Sequence, residues 1–189
     1  MNRVLLIGSP GAGKSTLSRR LGEKLGIEVI HLDSLYWHAG WVETPREEWS
    51  AVVADVVHTR SSWIIDGHYN STLETRLAVA DTVIFLDVPR FVCLWRVLKR
   101  WAQYRGRTRP DMPEGCEEKI DWEFVHYVWD FARKVPKIYE TLNRYRDDYN
   151  FNLVVLKNHL EVEAFVASLN QTGQTVHMQQ RNAARNRNA

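Results

Sequence analysis

Residues 8–15 read Gly8-Ser9-Pro10-Gly11-Ala12-Gly13-Lys14-Ser15, directly after the apolar run Arg3-Val4-Leu5-Leu6-Ile7 and directly before a stretch of helical periodicity. The pattern G-x-x-x-x-G-K-[ST] between a strand and a helix is a phosphate cradle. Its glycines let the backbone wind closely so that successive N–H groups point inward, and the helix N-terminus adds its positive dipole end. A lysine at the Lys14 position reaches β- and γ-phosphates, and a hydroxyl at Ser15 is available to Mg2+. Gly8, Pro10, Gly11, Ala12, Gly13, Lys14, Ser15 and Thr16 are therefore the expected nucleotide contacts.

Short, continuous apolar runs like 3–7 recur at 28–31, 63–66, 82–87 and 152–156, the pattern of strands buried on both faces. Helical stretches lie between them, at about 14–25, 45–59, 71–80, 90–104 and 160–169. Strand alternates with helix, so the fold class is α/β with a five-stranded parallel sheet. The chain has 189 residues, of which 44% are hydrophobic and 25% charged, enough for a real core and, at roughly 100–200 residues per domain, for one domain. That domain is expected over 1–169, and 170–189, rich in Gln, Asn and Arg without acids, as a disordered polar tail. Two intervals are longer than a short connection needs. The one after the second strand, about 33–61, is expected as a substrate insertion, and the one after the fourth, about 103–150, as a lid with following helices. The stretch from Arg105 through its acids reads as a mobile polar flap.

Lys and Arg number 25 against 23 acids, a formal charge of +2, too balanced for a surface built throughout to hold nucleic acid. Two cysteines, Cys93 and Cys116, suit a reducing cytosol, and no apolar run approaches the roughly 18 residues of a membrane span. A soluble, cytoplasmic protein, monomer or homodimer, is the expectation.

Asp33 and Asp66 end the second and third strand runs, and in an open parallel sheet the carboxyl ends of strands line the ligand crevice. Asp66-Gly67 can put a carboxylate beside a metal or simply close a turn. Asp33 can accept a proton from an attacking hydroxyl or serve as a helix cap. Between Arg90 and Arg109 the chain carries seven basic residues and no acid. Arg96 and Arg100, four apart, share a helix face and can clamp a triphosphate, with Arg105, Arg107 or Arg109 adding charge; a solvated basic face or a nucleic-acid surface are the alternatives. Trp37 and Trp41 in the first insertion can stack on a planar acceptor or pack the insertion down.

The most specific further marks are Leu32-Asp33-x-Leu35-x-Trp37, Gly40-Trp41, Trp63-Ile64-Ile65-Asp66-Gly67-His68-Tyr69, Leu86-Asp87-Val88-Pro89-Arg90 and Arg105-Gly106-Arg107-Thr108-Arg109-Pro110. On these the chain resembles the P-loop kinases related to adenylate kinase and, within them, the DNA topology modulation protein family, to about residue 165. The resemblance implies a sheet of order 2-3-1-4-5, an acceptor-binding insertion and a lid. It also implies that Arg96 lies along the adenine, that Arg100 contacts phosphate, that Asp66 holds the magnesium waters and that Lys157 frames the base. Asp33, Trp37, Trp41, Asp66, Gly67 and Arg76 are the expected acceptor contacts. Adenylate kinases have Gly where this chain has Ser15, and their phosphate-gripping arginine has no counterpart between Asp33 and Trp41. An acidic, aromatic acceptor site repels phosphate and resembles that of kinases acting on shikimate, gluconate or nucleosides. The expected activity is transfer of the γ-phosphoryl of ATP, with Mg2+, to a small-molecule hydroxyl. Catalysis is assigned to Lys14, Asp33, Arg100, Arg105 and Arg109, and metal binding to Ser15 and Asp66. The alternatives are nucleoside monophosphate kinase-like activity and a DNA-associated ATPase.

Overall fold

The computed structural model describes residues 1–169, and the chain divides into two compact units, Met1–Leu156 and the segment from Lys157 onward. The expected tail, 170–189, lies outside the described residues. The first unit runs β1 (Arg3–Gly8), α1 (Lys14–Leu25), β2 (Val29–His31), α2 (Leu32–Tyr36), β3 (Trp37–His38), β4 (Val42–Glu43), α3 (Arg46–Thr59) and β5 (Trp63–Asp66). It continues through a 3-10 turn (Asn70–Thr72), α4 (Leu73–Leu77), β6 (Thr82–Leu86), α5 (Arg90–Tyr104), α6 (Trp122–Tyr149) and β7 (Asn152–Leu156). In the second unit the described part is helical over 159–169.

Five strands form one parallel sheet in the order β2-β5-β1-β6-β7. Counting only these strands, that is the 2-3-1-4-5 order; β3 and β4 form a separate two-stranded hairpin. The central strands β1, β5 and β6 are sealed on both faces, which is why their sequences are continuous Val, Ile and Leu rather than alternating. Leu5, Ile7, Ile65, Val83 and Phe85 meet Trp49, Val53 and Val57 of α3 and Phe131, Ile138 and Leu142 of α6 in one core. Trp49 and Trp63 are wholly buried, so part of the tryptophan load is packing rather than ligand contact.

The connections place the site. Helix α1 starts at Lys14 directly after the glycine turn, and α3 starts after Pro45, whose fixed φ suits a first helical turn. The helix expected over 71–80 is shorter, because a 3-10 turn precedes Leu73–Leu77. Within the interval expected as a lid with following helices, the helical part is one 28-residue helix, α6, capped by Asp121, whose Oδ1 accepts from the Phe124 N–H at 2.8 Å. It ends at Asn150 in the left-handed region (φ 53°). Pro136 inside it removes one helical hydrogen bond, yet Val128, Phe131, Ile138 and Leu142 keep a buried stripe across that point. Only 105–121 is irregular, tied by bridges from Arg105 and Thr108 to Glu118 and Glu117. Among the described residues no helix is long and apolar enough to cross a membrane. Cys93 and Cys116 are free and buried.

Candidate active site

The carboxyl ends of β1, β2 and β5 open onto a cavity of about 960 Å3. The glycine turn forms one end of it. Gly11 has φ +78°, and a Cβ there would stand 2.3 Å from the Cys93 carbonyl oxygen, so the loop can wind this tightly against α5 only with glycine at that position. Arg96 of α5 braces the same turn, donating to the Ala12 carbonyl at 3.0 Å. Lys14 Nζ folds back to donate to the carbonyls of Gly8 and Ser9, both at 3.0 Å. Burial pulls the Lys14 ammonium below its ordinary value, while the charges of Asp66 and Asp33 oppose that shift. A half-buried ammonium whose hydrogen bonds go to backbone carbonyls is well suited to an anionic ligand.

Asp66 ends β5 and is 4% exposed. In register beside it, at the end of β2, stands His31, and its Nδ1 lies 3.0 Å from Asp66 Oδ2. Ser18 Oγ donates to the same oxygen at 3.1 Å. Burial works to raise the Asp66 carboxyl, but His31 and Lys14 overrule it and leave it below the usual carboxylate range. The hydrogen bond to Asp66 raises His31 in turn. The sign of the linkage follows. The His31 contribution to stability is complete below about pH 6.5, its unfolded value, and is lost as pH rises through the folded value. The Asp66 contribution is present above about pH 3.9 and lost on acidification through its lowered value. His31→Gln is therefore expected to destabilise the protein more at pH 6 than at pH 9, as read by urea unfolding at both; an equal loss would remove the ion pair from the account.

Asp33, in α2 just past β2, accepts a hydrogen bond from the Tyr69 hydroxyl at 2.7 Å. Burial and the Asp33 charge push the Tyr69 phenol far above its ordinary value, which keeps it a donor. Burial and Asp33 also raise Tyr127 on α6. Trp37 and Trp41 stand on the β3–β4 hairpin with ring centroids 5.4 Å apart at 70°. Trp41 is a non-glycine residue in the left-handed region (φ 65°), held there by its N–H to the His38 carbonyl and by Nε1 to the Glu117 carbonyl, both at 3.0 Å. The hairpin and the irregular loop are further joined by Gly40 N–H to Gly115 O at 3.0 Å. His68, beside Tyr69, has both ring nitrogens buried without a hydrogen-bond partner among the described residues and packs edge-on against Phe131. Burial pushes it down to about 3, so it is neutral at pH 7.

Glu118, 6% exposed and also lining the cavity, holds two arginines. Arg100 Nε donates to Oε1 at 2.8 Å. Arg109 Nε lies 2.7 Å from Oε2, an ion pair too bent for a hydrogen bond, and Arg109 Nη1 meets Asp111 at 3.1 Å. Burial and the neighbouring Arg109 lower the Arg100 guanidinium against the pull of Glu118.

The cavity thus gathers Gly8, Pro10, Gly11, Gly13, Lys14, Ser15 and Thr16 with Arg96, Arg100 and Arg109, and also Asp33, Trp37, Trp41, Asp66 and Gly67. Ala12 is buried in the turn and presents its carbonyl to Arg96. Two further expected residues stand outside the cavity lining, Arg105 and Arg76. Arg105 is exposed and lies over the Trp101 ring at 5.4 Å, because the loop's bridge to Glu118 turns its side chain outward. Lys157 belongs to the second unit, where its N–H donates to Glu161 Oε2 at 2.7 Å. The placement of Arg76 corrects the expectation of an acceptor contact. It is fully buried and donates to the carbonyls of Thr72 (3.1 Å), Gly67 (2.8 Å), His68 (3.3 Å) and Tyr69 (2.5 Å), so it clamps the loop that carries Tyr69. Arg76→Met is expected to cost about 3 kcal/mol or more of stability, since several buried acceptors lose their donor. Urea unfolding measures this, and a loss under about 1 kcal/mol would deny the clamp its role.

His31, Tyr69 and Glu118 had no place in the sequence-based assignment. Tyr69 stands in the quoted motif after Asp66, whereas His31 and Glu118 are found only through strand register and loop folding. For a divalent cation the residues present are a partial fit. Among the described residues no group of three or more His, Cys, Asp and Glu could hold one. The hard oxygens of Ser15 and Asp66 both face the cavity beside Lys14, so phosphate oxygens and water would have to complete the shell.

Residues 4–120 match the AAA domain family, and the chain belongs to it. Over 149 residues it is 30% identical to adenylate kinase of Micrococcus luteus, covering 64% of this chain and 72% of that one. Over 98 residues it is 31% identical to shikimate kinase of Corynebacterium jeikeium, covering 46% and 53%. The solved structure of shikimate kinase from Acinetobacter baumannii in complex with shikimate shares the fold at 16% identity, with a TM-score of 0.52 over 93% of this chain and 94% of that one. With its glycine turn, lysine and parallel sheet, the chain is a P-loop kinase, a phosphotransferase.

Proposed function

We propose that this kinase transfers the γ-phosphoryl group of ATP to a hydroxyl on a small ring compound. One observation carries the reading: Asp33, which accepts the Tyr69 hydroxyl at 2.7 Å, lines the same cavity as Lys14 of the cradle and as Trp37, Trp41 and Tyr127. A carboxylate between a phosphate cradle and a chamber walled by Trp37 and Trp41 is suited to accept the acceptor's hydroxyl proton as the oxygen attacks phosphorus. Lys14, Arg100 and Arg109 stabilise the charge that develops on the migrating group, and Arg96 keeps the turn in shape. Ser15 and, directly or through water, Asp66 would hold magnesium, which would supply charge neutralisation to the phosphate oxygens. In this reading residues 1–169 work as one domain, with 33–61 as acceptor insertion and 103–150 as lid, and their closing excludes water from the reacting group.

The 30% identity to adenylate kinase favours a second reading, with a nucleoside monophosphate as acceptor. Against it, the acceptor-side hairpin from Asp33 to Glu43 contains no arginine to grip a phosphate. The narrower kinship to the DNA topology modulation family rests on the motifs quoted above; DNA-stimulated ATP turnover falling steeply with salt would support a DNA-associated ATPase instead. Incubation with ATP, magnesium and either AMP or a set of ring alcohols tests the choice by mass. The reading predicts gain of one phosphate on a ring alcohol, and gain confined to AMP would overturn it.

A further inference from the structure

Glu118 stands where two sets of contacts meet. Its side chain is 3% exposed, and each of its oxygens faces the Nε of a different arginine: Oε1 accepts from Arg100 of α5 at 2.8 Å, and Oε2 pairs with Arg109 at 2.7 Å. Both arginines line the cavity. Among the described residues the Nη nitrogens of Arg100 and Nη2 of Arg109 make no hydrogen bond, so the carboxylate occupies one edge of each guanidinium and leaves another open to an anion. The backbone leading into Glu118 is held by the acceptor-side hairpin, one residue after another. Gly115 O accepts the Gly40 N–H at 3.0 Å, Cys116 Sγ donates to the His38 carbonyl at 3.1 Å, and Glu117 O accepts from Trp41 Nε1 at 3.0 Å. Gly115 has φ +80°, and a Cβ there would stand 3.0 Å from the Ala39 Cβ, so glycine lets the loop lie this close to the hairpin. From the other side the Glu118 N–H donates to the Arg107 carbonyl at 2.9 Å.

Desolvation offsets much of what a buried ion pair returns, so a carboxylate kept in such a place contributes geometry before stability. An arginine side chain is long and rich in rotamers, and its charge serves a migrating phosphoryl group best when it is already in place as the negative charge develops. Resting on the kinase reading of this cavity, we infer that Glu118 is a positioning residue for phosphoryl transfer: it fixes Arg100 and Arg109 against the cavity and takes its own place from the hairpin that carries Trp37 and Trp41. With both oxygens engaged, Glu118 acts through the arginines and not on the ligands themselves. A shift of the hairpin reaches the two guanidinium groups through residues 115–118. The wall that receives the acceptor and the charges that serve the phosphoryl group are thereby set together.

The test compares two complexes of the full chain by calorimetric titration in magnesium. One is formed with a non-hydrolysable ATP analogue, which reports the ground state; the other is formed with ADP and aluminium fluoride, which mimics the phosphoryl group in transfer with water in the acceptor's place. Glu118→Gln removes the charge at nearly constant shape, and Glu118→Asp keeps the charge but is one methylene too short to meet both arginines. Each is expected to weaken the aluminium fluoride complex about tenfold to a hundredfold and to change affinity for the analogue by less than about threefold, because a small misplacement of a catalytic group is felt chiefly in the transition state. Trp41→Phe keeps a ring but loses the bond to the Glu117 carbonyl, and should reproduce part of that selective loss. Equal weakening of both complexes would make Glu118 a structural support of the cavity, and an unchanged aluminium fluoride complex in either Glu118 variant would free the arginines from it; either result overturns the inference. An unchanged complex in Trp41→Phe would overturn the link to the hairpin. Wild-type protein that binds neither ligand would instead sink the kinase reading, whereas wild-type binding of the analogue alone would overturn only this inference.

Discussion

Lys14→Ala is expected to lower nucleotide turnover by about 10²–10³-fold or more while the protein still unfolds cooperatively near the wild-type midpoint. The Lys14 ammonium is the cationic side chain inside the glycine turn, and its bonds to the Gly8 and Ser9 carbonyls are the sort an incoming phosphate displaces. Removing it takes away a preorganised charge from the site where negative charge gathers, which water repays poorly in a sheltered cavity. Stability should change little, because burial already penalises this ammonium in the free protein. ADP release under saturating ATP measures the effect, and unchanged release would remove the turn from the chemistry.

For Asp33→Asn the expected result is a fall in kcat of about 10²–10⁴-fold with little change in nucleotide affinity. Asparagine keeps an oxygen for the Tyr69 hydroxyl, so the 2.7 Å contact and the local fold can survive, but it cannot take a proton. The split between kcat and affinity is the informative part. Equal losses in both would show that Asp33 shapes the cradle rather than serving the acceptor. Tyr69→Phe, which removes the hydroxyl that orients the carboxylate, should reproduce part of the kcat loss.

The parts of the fold that were legible are those where local sequence and final environment agree. A strand buried on both faces has no choice but continuous apolar residues, so 3–7, 63–66 and 82–87 declared themselves, and the glycine turn carried its chemistry in its spacing. Helices α1 and α5 match the expected bounds at both ends because glycine or proline flanks them where they start. Helices were expected to follow the lid, but that they are one helix of 28 residues did not declare itself, because Pro136 interrupts the periodicity and acids crowd its start. Arg76 shows the limit of residue type as evidence. An arginine near a crevice looks like a ligand contact, but full burial with four carbonyl partners makes it a strut, and burial is a tertiary quantity. The His31–Asp66 pair follows from β2 lying beside β5, a neighbour relation between strands more than 30 residues apart that no short window contains. Glu118 was legible only as one acid among several; folding of the 105–121 loop makes it the group that joins Arg100 to Arg109.

The account depends on the glycine turn receiving the phosphates of a nucleotide, and calorimetric titration of the full chain with magnesium and a non-hydrolysable ATP analogue tests that most directly. It predicts saturable binding of one nucleotide per chain, competed by ADP and lost in Lys14→Ala. Absence of saturable heat, or binding that the Lys14 substitution leaves unchanged, would contradict it.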